Sequence, residues 1–234
     1  MKITFETEQE TDGRWIAEVP ELPGVIKYGT TESDAVGKAG ELALHDLKDR
    51  LLATISEIEK THAEIERQFG QGSNMWICNG LLKRDPSARF DRLVSLSGTL
   101  RYWAKWPMTE GELVLAWVNL GVLLEGTLKG FLTIYQHDFV RDVDRHLSVN
   151  ALHKKGSKAG FLKHPGELKP EDLINYFSAQ ELLTKDEIKA ARKIRDNRNV
   201  VHVLLDKHLG EQAEFVKSVE EYRSIQLKLY HQLP

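Results

Sequence analysis

One cysteine, Cys78, is all that the 234 residues contain. A lone thiol excludes an intramolecular disulfide and a thiolate-rich zinc site, and it fits a reducing compartment such as the cytoplasm. The nine histidines never fall into an HExxH spacing, so no metal site is expected. There is no GxxxxGK run ending in Ser or Thr and no serine elbow. Their absence removes the kinase, P-loop and α/β-hydrolase readings, and no cofactor is expected. The opening MKITFETEQE lacks the apolar stretch of a secretory signal.

What is present describes a globular chain, with 41% hydrophobic and 29% charged residues. Its length suits one large or two small domains. The net charge of −3 is unevenly spread. Residues 1–75 hold 8 Lys/Arg against 15 Asp/Glu, and residues 76–234 hold 24 against 20. An acidic front and a mildly basic back suggest two modules with different partners. The apolar stretch from Leu113 to Tyr135 is long enough to span a bilayer. Glu125 and Lys129 in its middle would be costly there, so a buried helix is expected and no membrane partner.

The front module reads as three strands and a helix. Residues 3–8 and 14–19 alternate at period two, with Asp12-Gly13 as the hairpin turn between them. Pro20 to Gly24 forms a turn whose two prolines cannot donate to a ladder. Residues 25–28 give a third strand closed by Gly29. Thr31 or Ser33 is expected to cap a helix that carries Ala35, Ala39, Leu42, Ala43, Leu47 and Leu51 at helical spacing and runs to about Phe69. Residues 70–74 (GQGSN) and Arg84-Asp-Pro86 are breaks. The expected division is a domain at 1–69, a linker at 70–87 and a helical domain at 88–234.

In the back module a helix is expected over 88–105, ended by Trp106-Pro107. Thr109 with Glu112 three residues on is a capping-box pattern opening a long helix to about Asp144. Gly126 and Gly130, four apart, would let another helix come close. Residues 151–170 form a loop with five lysines and one acid. Pro170 opens a short helix, residues 184–208 another, and residues 211–231 a last one after Gly210. Together these make an antiparallel bundle, and the fold class is α+β.

Arg195 and His202 are the most informative pair. They stand seven positions apart in Arg195-Asp-Asn-Arg-Asn-Val-Val-His202. Seven helical steps come to about 700°, within about 20° of two full turns. The two side chains would then share a stripe, with Arg198 and Asn199 beside it. A permanent cation, a group that titrates near neutral pH and an amide on one surface suit phosphodiester cleavage without a metal. Lys154, Lys155, Lys158 and Lys163 would steer RNA phosphates towards it, or form a plain solvated loop. Glu125 and Lys129, an i,i+4 pair, would form a half-buried ion pair.

Two stretches resemble known families. Asp12-Gly-Arg-Trp-Ile-Ala-Glu-Val-Pro-Glu-Leu-Pro-Gly24, followed by Gly29-Thr-Thr31 and an alanine-rich helix, resembles the N-terminal domain of HicB antitoxins over residues 1–52. That resemblance implies a reduced RNase H-like βββα fold without a nuclease site, which binds and blocks a small toxin. The helix here is longer than usual, and Asn74 to Leu82 is the one candidate for the family's final strand. Leu123-Leu-Glu125-Gly-Thr-Leu-Lys129-Gly-Phe-Leu132 resembles the core helix of HEPN domains, and Arg195, Asp196 and His202 resemble that family's arginine–polar–histidine signature.

The second resemblance implies an all-α bundle over about 88–232. Many members of that family are metal-independent endoribonucleases of toxin–antitoxin and defence systems, commonly homodimers. Others are catalytically silent. Two expectations follow. One is an RNA-cleaving effector joined to its own acidic antitoxin-like module, which would restrain it by intramolecular contact. The other is a non-catalytic binding protein that caps a separate toxin and dimerises through its bundle.

Overall fold

Short turns and a tight helix approach shape the N-terminal layer. The structure is a computed structural model describing residues 3–70, 88–135, 138–139, 164–201 and 209–234. Strands β1 (Glu6–Gln9), β2 (Trp15–Glu18) and β3 (Ile26–Gly29) form an antiparallel sheet in sequence order. Gly13 and Gly24 take positive φ in the connecting turns, a conformation that costs glycine little. Thr31 caps helix α1 (Glu32–Phe69) by accepting from the Asp34 N–H at 3.1 Å, and Glu32 and Asp34 sit at its positive end. Alanines 35, 39 and 43 let α1 lie close over Ala17, Val19 and Val25. At Gly29 the approach is so tight that a Cβ would stand 2.2 Å from the Ala35 nitrogen.

The other sheet face is uncovered. The register places Glu6, Glu18 and Ile26 in one row, and Glu8, Ile16 and Tyr28 in the next. All but the half-buried Ile16 are exposed.

At 38 residues α1 is about 57 Å long. Its first half belongs to the sheet layer. Leu51, Ile55, Ile58, Ile65 and Phe69 of its second half enter the core of the helical bundle. Residues 51–69, expected within the front domain, therefore belong to the bundle core, and α1 as a whole serves both layers. Trp106 also touches both cores.

The bundle comprises α1 with α2 (Phe90–Thr99), α3 (Glu110–Ile134), α4 (Pro170–Ala179), α5 (Lys185–Arg198) and α6 (Gln212–Tyr230). The long helix expected over 88–105 is α2 followed by a tighter 3-10 turn at Leu100–Trp103. Thr109 and Glu112 form the expected reciprocal cap on α3. Helix α3 is central and meets α2, α4, α5 and α6, so apolar residues are buried around most of its circumference. Among the described residues it is the one helix long and apolar enough to cross a membrane. Here its burial is supplied by other helices. A Cβ at Gly126 would stand 2.4 Å from Leu93 Cδ2 and one at Gly130 2.8 Å from Phe90 Cε1, so both glycines admit α2.

One buried polar cluster ties three helices together. His62 Nε2 lies 3.3 Å from Thr127 Oγ1 and 3.1 Å from the Tyr222 hydroxyl, which is 2.8 Å from Thr127 Oγ1. Gln226 Nε2 donates to the Ile58 carbonyl at 3.2 Å. Burial pushes the His62 pKa down to about 4 and the Tyr222 phenol up, so both are neutral. The observed architecture is α+β: a small antiparallel sheet followed by a mostly helical body.

Candidate functional site

Helix α5 opens on a capping box, with Thr184 and Glu187 exchanging bonds. Ile188, Ala191 and Ile194 face the core, which sets Arg195 and Arg198 on the flanks beside α4 and α3. The stem of Arg198 crosses α3 at Gly121, where a Cβ would stand 2.6 Å from the Arg198 Cβ. Its guanidinium reaches Glu125 Oε2 at 2.7 Å. The other oxygen of Glu125 holds Lys129 Nζ at 2.6 Å, and Lys129 also donates to the Gly166 carbonyl at 3.0 Å. One half-buried carboxylate thus sits between two cations, leaving the trio net positive. The ion pair expected between Glu125 and Lys129 forms. Its third member, Arg198, and the glycine that seats it were not foreseen.

Arg195 has a different environment. Its Nε and Nη2 donate to Asp196 Oδ1 at 2.9 and 2.6 Å, and its Nη1 pairs with Glu171 in the first turn of α4. The arginine side chain is 18% exposed, whereas Glu171 and Asp196 are 48% and 46% exposed. The acids therefore stand on the outside of the pair. The structure brings Arg198, Glu125 and Lys129 together across α5 and α3, while Arg195, three residues earlier on α5, pairs with Asp196 and with Glu171 of α4. Asn199 is exposed at the C-cap of α5.

The helix expected over 184–208 differs in its second half. The α-helix ends at Arg198, and Asn199–Val201 form a 3-10 turn. Asparagine at 197 and 199 and valine at 200 and 201 are poor helix formers. A 3-10 turn advances each residue by about 120°, so Asn199–Val201 leave the stripe, at about 100° per residue, that Arg195 starts. His202 lies outside the described residues, as do Lys154, Lys155, Lys158, Lys163 and the candidate strand Asn74 to Leu82. Among the described residues no three His, Cys, Asp or Glu side chains are grouped to hold a metal ion.

Comparison of the chain with protein-family models, with curated proteins and with solved structures gives no match.

Proposed function

We propose that the protein is a metal-independent endoribonuclease effector of a toxin–antitoxin or phage-defence type system, with a HEPN-like bundle and a HicB-like regulatory module. The observation that carries this reading is Arg195 near the end of α5, held by the half-exposed acids Glu171 and Asp196, with Arg198 three residues on bound to the Glu125–Lys129 pair of α3. Arg195 is held by carboxylates that are themselves half in water, so water can take up these acids when they release the arginine. An RNA phosphate can take their place and gain a charge-assisted, bidentate contact.

In this reading the ribose 2′-OH attacks the adjacent phosphorus. The bond to the 5′-oxygen breaks, leaving a 2′,3′-cyclic phosphate and a 5′-OH. His202 takes the 2′-OH proton, or a second copy's histidine in a homodimer delivers one to the leaving oxygen. Arg195 offsets the charge growing on the nonbridging oxygens, with Asp196, Arg198 and Asn199 orienting it and the substrate. Incubation of the full chain with RNA in EDTA is expected to give cyclic-phosphate ends. Arg195→Ala or His202→Ala is expected to lower the rate by roughly 100-fold or more. Cleavage that requires a divalent metal, or that persists in His202→Ala, removes the mechanism.

A second reading has its own observation: Arg195 is mostly buried against two acids, as a structural cation would be. The chain would then be a non-catalytic, toxin-capping scaffold. Glu171→Gln separates the two. In the nuclease it releases Arg195 and strengthens RNA binding several-fold; in the scaffold RNA binding is unchanged and stability falls.

For the front module we infer a small basic protein as partner on the uncovered sheet face. Glu6 and Glu18 stand directly opposite each other across β1 and β2. Like charges so placed repel, and a partner's cation relieves them. Ile26 and Tyr28 beside them, 39% and 43% exposed, supply apolar area. Glu6→Lys with Glu18→Lys is expected to abolish capture of a lysine-rich partner domain in a binding assay while leaving the melting temperature within a few degrees. Deleting residues 1–75 is a poorer test, because it removes Leu51 to Phe69 from the bundle core.

A further inference from the structure

A second cationic feature lies on the face of α3 next to Glu125. A cavity of about 250 Å³ opens between α2, α3 and the turn Pro165–Glu167. Among the described residues its lining includes Arg89, Arg92, Lys129 and His164 but no Asp or Glu. Arg89 is engaged by Asp91 at 2.6 Å, and Lys129 by Glu125. Arg92 is exposed and has no ion-pair partner among the described residues. The inner wall is apolar, formed by Leu93, Leu96 and Val122, with Leu93 and Phe90 packed directly on Gly126 and Gly130 at its base.

We propose that this cavity binds the phosphate of a phosphorylated nucleoside, with Arg92 and Lys129 bracketing the anion. An anion is favoured because every ionisable side chain among the described residues lining the space is basic, and the Arg92 guanidinium forms no salt bridge among the described residues. The apolar wall suits a sugar or base face rather than a bare ion. The volume lies just under the usual range for small-molecule sites, which limits the occupant to about one nucleotide. The same phosphomonoester is found on a free mononucleotide and at the 5′ end of an RNA. Arg195 is not among its lining residues, so the site is tested apart from the nuclease reading, although Lys129 is common to both.

The test is titration calorimetry of the full chain at low salt with adenosine 5′-monophosphate, adenosine, and a short oligoribonucleotide with and without a 5′-phosphate. The monophosphate is expected to bind at least ~10-fold tighter than adenosine, a gap set by one charge-assisted contact. Arg92→Ala is expected to remove most of that gap, Arg92→Lys to keep part of it, and Val122→Trp to block binding by filling the space. Circular dichroism melts establish that each variant is folded. A 5′-phosphorylated oligonucleotide that binds tighter than the mononucleotide identifies an RNA end as the source; equal or weaker binding identifies the free nucleotide. Equal affinity for adenosine and its monophosphate, no binding of either phosphate, or folded Arg92→Ala and Val122→Trp proteins that bind as the parent does overturns the proposal. RNA cleavage is scored separately, so loss of one activity without the other shows which proposal failed.

Discussion

Trp117→Ala is expected to destabilise the protein by about 4 kcal/mol, near the upper end of what a single core truncation does. Trp117 is fully buried on α3 and meets the Phe215 ring edge-on at 5.4 Å. Around it α3 contacts helices on several sides, so no single neighbour can collapse into the space left behind. For a chain of this length the melting temperature should fall by roughly 10 °C. Trp117→Phe should cost well under half as much. The indole Nε1 has no hydrogen-bond partner among the described residues, so phenylalanine gives up volume but no bond. Urea unfolding followed by circular dichroism measures both. A shift below ~1 kcal/mol for the alanine variant would mean that α3 is not the centre of the bundle.

Acidification should weaken the fold before its carboxylates titrate. Burial holds the His62 pKa at about 4 in the folded chain. In the unfolded chain the same imidazole titrates near about 6.5, so between these values the unfolded state binds more protons. The contribution of neutral His62 is intact above about pH 6.5 and is lost progressively as the pH falls towards 4. The full loss is about 3 kcal/mol. Its hydrogen-bond partners, Thr127 and Tyr222, carry no charge in this window. Glu64 and Glu112, whose pKa values are lowered to about 2 by Arg67 and Lys105, begin to matter only below about pH 4.5. Urea midpoints measured from pH 7.5 down to 5 should therefore slope in the parent protein and be flatter in His62→Gln. The variant starts lower, because the bond to Tyr222 changes, but the comparison of slopes is independent of that offset. Equal slopes would show that His62 is not sealed in the core.

Local chemistry made the front of the chain readable. Asp12-Gly13, the Thr31 cap and the Thr109–Glu112 box each act within four residues, and each forms as its residue types require. The continuous stripe on α1 told which face is buried but not what buries it. Ala35 to Leu47 meet a sheet and Leu51 to Phe69 meet helices, and periodicity is blind to that change of partner.

The site was less legible. Glu125 and Lys129 announce each other by their i,i+4 spacing. Arg198 joins them across 73 positions of sequence, and its only trace is Gly121, one glycine among several in that helix. Glu171 as the partner of Arg195 left no trace at all, since an acid in a first helical turn is ordinary. The helix expected over 184–208 is an α-helix only to Arg198, with a 3-10 turn after it. Two asparagines and two valines at 197–201 were the warning that the spiral changes pitch there.

Because one 38-residue rod is shared by both cores, the sheet is not an appendage that can come loose and leave the bundle intact. Melting either end deprives the other of a wall, which couples the two into a single cooperative unit. A protein gripping the sheet would hold a lever some 57 Å long whose far end packs on α2 and α6 and bonds to Thr127 on the helix that carries Lys129. Seizure of the acidic end would then be felt at the basic end as a change in mechanical stiffness, with no tether to swing and no cleft to cover.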